Sequence, residues 1–267
     1  MFLLLLAFPV SVFAEGKWTQ FTNSNSINSI AEEGDYIWCG TQYGVVRWNK
    51  RDGTYVKWNT IGGLPWNDIR SVAVDKNGVK WVASGLGGGN FDGTVWRRFT
   101  WPDGSGSNTL INVAVDRNNV KWFGRYSGVT SFDGITWKNY GKADGMAYDS
   151  MMDVFVDEYN VKWFGTGANI LRFDGQSWIN YAIESGPRDT RVFAVAADRN
   201  HVLWCGTIGG AFRFDGKTWI GVTPPDSTRN PFVQDIAIDS KNVKWFAMDT
   251  LRSYNDSEWQ EHPYPNP

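Results

Sequence analysis

Six tryptophans, Trp38, Trp81, Trp122, Trp163, Trp204 and Trp245, fall at intervals of 43, 41, 41, 41 and 41 residues and divide the chain into copies of one unit. A second tryptophan series follows at Trp58, Trp96, Trp137, Trp178, Trp219 and Trp259, with one more, Trp18, ahead of the first copy. The clearest copies read Val-Lys-Trp-Phe-Gly, a glycine turn, Phe-Asp-Gly, Trp-x-x-Tyr, and then an apolar run ending in Asp. A period of about 40–45 residues with four short strand signals per unit predicts β-propeller blades. The expected fold is all-β: a six-bladed β-propeller with four antiparallel strands per blade.

The copy over 110–140 shows why. Leu110 to Asp116 is apolar and β-branched and suits an innermost strand, and Asp116-Arg117-Asn118-Asn119 supplies turn side chains. Val120 to Gly124 and Gly128 to Phe132 read as the second and third strands, Asp133-Gly134 as a tight hairpin turn, and Trp137 to Tyr140 as the outermost strand. One such unit cannot bury both of its faces, so neighbours must stack, with Trp and Phe filling the gaps. The repeated Asp75, Asp116, Asp157, Asp198 and Asp239, and the four Phe-Asp-Gly turns, are therefore structural positions rather than metal ligands. The segment Lys17 to Phe21 reads as a spare outer strand, and pairing of the N- and C-terminal segments is expected to close the ring.

With 26 basic and 28 acidic residues spread evenly over 267, the chain offers no basic face for nucleic acid. Residues 1–14 read as a secretory signal, apolar and ending in Val12-Phe13-Ala14 with small residues at the −3 and −1 sites, though without the usual basic start. That segment is too short to span a bilayer, so no membrane insertion is expected. The mature protein is expected to be exported, to a periplasmic, cell-surface or extracellular location, and to be a monomer. The propeller is assigned to 15–262, and 263–267 to a Pro-rich tail or the start of a further domain. Cys39 and Cys205 share one repeat position in copies 1 and 5, too far apart in a six-membered ring to bridge, and read as small buried apolar residues.

The pattern Trp-Phe-Gly-Thr-x-x-Gly, Phe-Asp-Gly-x-x-Trp-x-x-Tyr and Gly-Leu-Pro-x-Asn, best kept at 62–69, 163–178 and 204–219, resembles the two-component regulator propeller repeat over 17–262. The resemblance implies a propeller of bacterial sensor ectodomains, often for glycans, or a stand-alone exported propeller, and it implies no catalytic residue set. The closing residues Pro263 to Pro267 resemble the opening of C-terminal sorting domains on secreted proteins of Bacteroidetes-like bacteria.

No catalytic motif rises above the repeat, and neither a metal site nor a cofactor is expected; His201 lies in a hairpin turn and His262 near the end of the chain. The run Gly85 to Asn90 joins two strands and opens no helix, which argues against a phosphate loop. Function is expected on the loop face around the central channel. Trp66 and Trp101 either stack on a sugar ring or cap their loops onto their own blades. Arg125, which replaces Thr or Ser, is expected to point at the channel mouth beside Tyr126. Asp149, Arg188, Asp189, Arg191 and Arg229, with Asp144, add polar loop positions. The reading is an exported binding or sensing module for a carbohydrate or a protein surface. A propeller enzyme such as a polysaccharide lyase, and a structural surface-display domain, stand as alternatives.

Overall fold

The computed structural model describes residues 26–99, 109–183, 191–222, 224 and 232–262. Within them, 24 strands form six four-stranded antiparallel sheets, each built from four consecutive strands. Blade 1 comprises β1 (Ile27–Glu33), β2 (Tyr36–Thr41), β3 (Gly44–Asn49) and β4 (Tyr55–Trp58). Blade 2 comprises β5 (Ile69–Val74), β6 (Lys80–Ser84), β7 (Gly87–Phe91) and β8 (Trp96–Phe99). Blade 3 is β9 (Leu110–Val115), β10 (Lys121–Arg125), β11 (Gly128–Phe132) and β12 (Trp137–Tyr140). Blade 4 is β13 (Met151–Val156), β14 (Lys162–Thr166), β15 (Ile170–Phe173) and β16 (Trp178–Tyr181). Blade 5 is β17 (Val192–Ala197), β18 (Leu203–Thr207), β19 (Gly210–Phe214) and β20 (Trp219–Gly221). Blade 6 is β21 (Asp235–Ile238), β22 (Lys244–Ala247), β23 (Leu251–Tyr254) and β24 (Trp259–His262). The first strand of each of blades 1–5 packs on the first strand of the next, which places these strands innermost.

The six-bladed, four-stranded architecture read from the repeat is the one observed. The Asp-Gly turns behave as expected, with Gly93, Gly134, Gly175 and Gly216 at φ of 102°, 110°, 106° and 96°. In blade 6 Asp256 takes the glycine's place at φ 77°.

Two details differ from the sequence reading. Trp58 does not belong to the second tryptophan series: Tyr55 faces Trp48 as Trp96 faces Phe91, while Trp58 pairs with Val45 as Tyr140 pairs with Val129. The spacing misled because an aromatic residue occupies both positions of the outer strand. Of the glycine-rich run, Gly85-Leu86 is the turn and Gly87–Gly89 are strand residues of β7. A Cβ on Gly88 would stand 2.1 Å from the Phe99 ring, and one on Gly89 would stand 3.1 Å from Pro65, so the glycines make room for neighbouring side chains.

One contact, repeated between blades, ties the ring together. The lysine of Val-Lys-Trp reaches back to the preceding blade, where it lies over the tryptophan ring and meets the turn carboxylate. Lys80, Lys121, Lys162 and Lys244 sit 4.7, 5.0, 5.1 and 5.2 Å from the ring centroids of Trp38, Trp81, Trp122 and Trp204. Their ammonium groups lie 2.8, 3.6, 2.9 and 3.3 Å from Glu33, Asp75, Asp116 and Asp198. Each of those carboxylates also accepts the indole N–H of its own blade's tryptophan, at 2.8–3.1 Å. Burial alone raises the Asp116 carboxyl, but the bonds from Lys162, Trp122 and Val120 outweigh it and hold the group below the usual range.

Cys39 and Cys205 are buried and unpaired, as expected, and burial pushes the Cys39 thiol up to about 12. Blade 6 takes its outer strand, β24, from the C-terminal end of the described chain. The signal segment, Lys17 to Phe21, and the tail 263–267 lie outside the described residues, so the expected pairing of the chain ends does too.

Candidate functional site

The turns between second and third strands emerge on the same face as the blade-to-blade connections. On this face Tyr43, Leu86, Tyr126 and Tyr148 are exposed, one after another over blades 1 to 4. Among the expected site residues, Tyr126 is exposed. Asp149 is half-buried; its carbonyl accepts the Gly128 N–H at 2.6 Å, and its carboxylate lies 3.7 Å from Lys142. These bonds hold the 141–150 connection beside Tyr126. Asp144 accepts the Gly141 N–H in the same connection. Arg191 is exposed at the entry to β17, with its guanidinium 5.8 Å from the Phe193 ring.

Trp66 packs on its own blade. Its ring would lie 2.8 Å from a Cβ on Gly87, and the Arg98 guanidinium stands 4.8 Å from its centroid. Arg125 differs from expectation, being buried with a side chain that runs outward along blade 3 to Thr130 of β11, 3.3 Å away. The physical reason is parity: Arg125 shares the sheet face of Phe123, which packs between blades 2 and 3. Trp101, Arg188, Asp189 and Arg229 lie outside the described residues.

The channel holds a constellation that sequence reading missed. An innermost strand has one edge with no neighbouring strand, so its N–H groups need other partners. One repeat position, held by Ser29, Ser71, Asn112, Asp153, Ala194 and Asp235, faces that edge, and Ser29, Ser71, Asp153 and Asp235 supply acceptors. In five of the inner strands the register shifts just before this residue, and such bulges re-aim the side chain that follows. Ser29 Oγ accepts the Val72 N–H at 3.0 Å, and Ser71 Oγ accepts the Val113 N–H at 3.1 Å. Asp153 accepts the N–H groups of Val154 and Val195, each at 2.8 Å, and also a short bond from the Asn112 amide, so it bridges blades 3, 4 and 5. Asp235 accepts the Ile236 N–H at 2.9 Å.

Burial drives the Asp153 carboxyl up to about 6. Burial, with the nearby charge of Asp153, drives Asp235 up to about 7. Both carboxyls therefore keep their protons to higher pH than an exposed aspartate does. Among the described residues there is no group of three or more His, Cys, Asp or Glu placed to hold a metal ion. Aligning the six copies on their tryptophans shows a position that is polar in every blade but the fifth, a signal that a search for catalytic motifs passes over.

No protein-family model and no curated protein matches the chain. Solved structures do match, 633 chains in all, a breadth that leaves the choice of function to the site itself. Virginiamycin B lyase from Staphylococcus aureus superposes with a TM-score of 0.76 at 14% identity, covering 92% of this chain and 87% of that one. The extracellular domain of a protein assigned as a hybrid two-component system of B. thetaiotaomicron matches with a TM-score of 0.65 at 16% identity, over 89% of this chain and 40% of that one. YCF48, solved with a D1 peptide, matches with a TM-score of 0.70 at 15% identity, over 91% and 84% of the two chains. At these identities the likeness establishes the fold. The sensor-ectodomain propeller implied by the repeat resemblance is among the folds that match.

Proposed function

We propose that this protein is an exported binding or sensing propeller that takes a carbohydrate or a protein surface on its loop face. The observation that carries the reading is the run of exposed side chains Tyr43, Leu86, Tyr126 and Tyr148 on four consecutive blades. Aromatic side chains with a polar edge stack on sugar rings and anchor protein interfaces, and both partners exploit such a surface. Asp149 and Arg191 supply the polar rim. Trp66 supports the surface from beneath by seating the 59–68 connection on Gly87. The YCF48 structure, a propeller with a bound peptide, gives the protein arm a precedent in fold. Export rests on the signal-like residues 1–14.

The test is binding of the purified protein to a glycan panel and to surface-protein extracts, with Tyr43→Ala/Tyr126→Ala as the comparison. Loss of a saturable signal in the double variant, with thermal stability unchanged, supports the reading. Equal binding by both proteins refutes it.

The channel carboxyls Asp153 and Asp235 favour one second reading, acid-base chemistry at the channel in a polysaccharide lyase. Virginiamycin B lyase is inactivated by replacement of one histidine. Here the only two histidines are His201, in the turn before β18 on the opposite face, and His262, at the end of β24 with its ring against Trp245 and Ser253. Turnover of polysaccharides by the purified protein separates the two readings.

A further inference from the structure

The lysine clasp is missing between blades 4 and 5, and what it leaves behind is shaped for the missing group. Blade 5 carries Leu203, and blade 1 Ile37, where blades 2, 3, 4 and 6 carry Lys80, Lys121, Lys162 and Lys244. Asp157 of blade 4 therefore meets no ammonium from the next blade, and among the described residues it has no ion pair. The rest of the clasp is intact: Asp157 Oδ2 accepts the Trp163 indole N–H at 2.8 Å, and Oδ1 accepts two turn N–H groups. Trp38, Trp81, Trp122 and Trp204, each covered by a lysine, are buried, whereas Trp163 is half-buried.

The space is real. A crevice of about 410 Å³ opens between blades 4 and 5, floored by Trp163, Tyr181 and Leu203 and edged by Asp157, Glu158 and Asp215. Its cations are Arg199 and, when protonated, His201. His201 bonds Tyr159 Oη at 2.6 Å and lies 3.0 Å from Glu158 on the exposed rim. Asp198, also on the wall, is already met by Lys244. Arg172 stands 6.0 Å from the Trp163 ring without filling the lysine's place, because in blade 1 Trp38 hosts both Arg47, at 5.8 Å, and Lys80, at 4.7 Å. At the neighbouring junctions the lysine also donates to the carbonyl of the turn residue two places before it, at 2.7 Å for Lys121 and 2.8 Å for Lys162. The residue at that position here is His201.

We propose that the crevice between blades 4 and 5 is a receptor for a primary alkylammonium group, which takes the position that an internal lysine fills at four other junctions. Carboxylate, carbonyl and indole face together recognise an ammonium on an apolar stem, by charge, hydrogen bonding and cation–π attraction. The occupant is a lysine side chain of a peptide or a free alkylamine. This site lies among the turns joining first to second strands, on the face opposite the loop surface, and does not rest on the function proposed above.

The test uses the full chain with isotope-labelled tryptophan, following the Trp163 indole N–H resonance, which Trp163→Phe identifies. The probes are Nα-acetyl-lysine N-methylamide, cadaverine and the uncharged norleucine analogue of the first. A saturable shift with an amine but not with the norleucine analogue, weakened at least roughly tenfold by Asp157→Asn, supports the site. Leu203→Lys should supply the internal lysine, abolish amine binding and raise the melting temperature. If that variant fails to fold, Asp157→Asn and the norleucine comparison still decide. Tighter binding of the lysine derivative points to a protein side chain, and tighter binding of cadaverine to a free amine; either supports the receptor. No saturable shift with either amine, an equal shift with norleucine, or unchanged binding by Asp157→Asn overturns it.

Discussion

Lys162 of one blade sits 5.1 Å above the ring of Trp122 in the preceding blade, and its ammonium lies 2.9 Å from Asp116. Both charges are almost fully buried. Removing a single partner leaves the other charge without compensation.

Lys162→Met should therefore destabilise the fold by about 3–5 kcal/mol, and the further change Asp116→Asn should recover much of that loss. Urea unfolding of the two single variants and the double variant checks this. Additive losses would contradict the clasp.

The channel carboxyls give stability a definite pH dependence. An unfolded aspartate titrates near about 4. The folded state keeps its protons up to about 6 at Asp153 and about 7 at Asp235. Their contribution is complete below the unfolded value and is lost as pH rises through roughly 4 to 7. Asp116, held low, acts in the opposite sense and only below that window. Asp235→Asn should flatten the profile between those limits and raise stability at pH 8 by at least about 1 kcal/mol. Denaturant melts across the range check it; a variant less stable than the parent at pH 8 would contradict it.

Gly88 tests how the Phe99 ring is seated over β7. An alanine there would drive its methyl into Phe99, whose ring lies 2.1 Å from the Cβ position. Gly88→Ala should cost about 1–3 kcal/mol in thermal or urea unfolding. A neutral substitution would contradict the placement of the Phe99 ring against Gly88.

The thiols should be inert. With Cys39 buried and its thiol raised to about 12, and Cys205 buried beside Phe212, neither presents a thiolate near neutrality. A thiol reagent should modify both only under denaturing conditions, and reductant should leave the melting temperature unchanged.

The backbone was largely legible. The strands read over 110–140 match β9 to β12 to within about a residue, because alternation, Asp-Gly turns and β-branched runs all point the same way. The clasp was not, since a lysine next to a tryptophan at the start of a strand reads as solvent-facing. Its burial depends on a carboxylate and an indole supplied by the preceding copy. Arg125 was misplaced because the repeat marks the position as the end of β10 without saying which face the side chain takes. Asp153 and Asp235 stay hidden in a single copy; only the series Ser29, Ser71, Asn112, Asp153, Ala194 and Asp235 marks the inner girdle. Tyr126, expected beside Arg125, is exposed at the turn between β10 and β11.

The loop-face claim is tested most directly by titrating a responding glycan or surface protein against the parent and against Tyr43→Ala/Tyr126→Ala, with melting temperatures measured alongside. The account predicts saturable binding by the parent, at least roughly tenfold weaker binding by the variant, and matching melting temperatures. Binding that survives both substitutions, or turnover of a polysaccharide in place of simple binding, would contradict it.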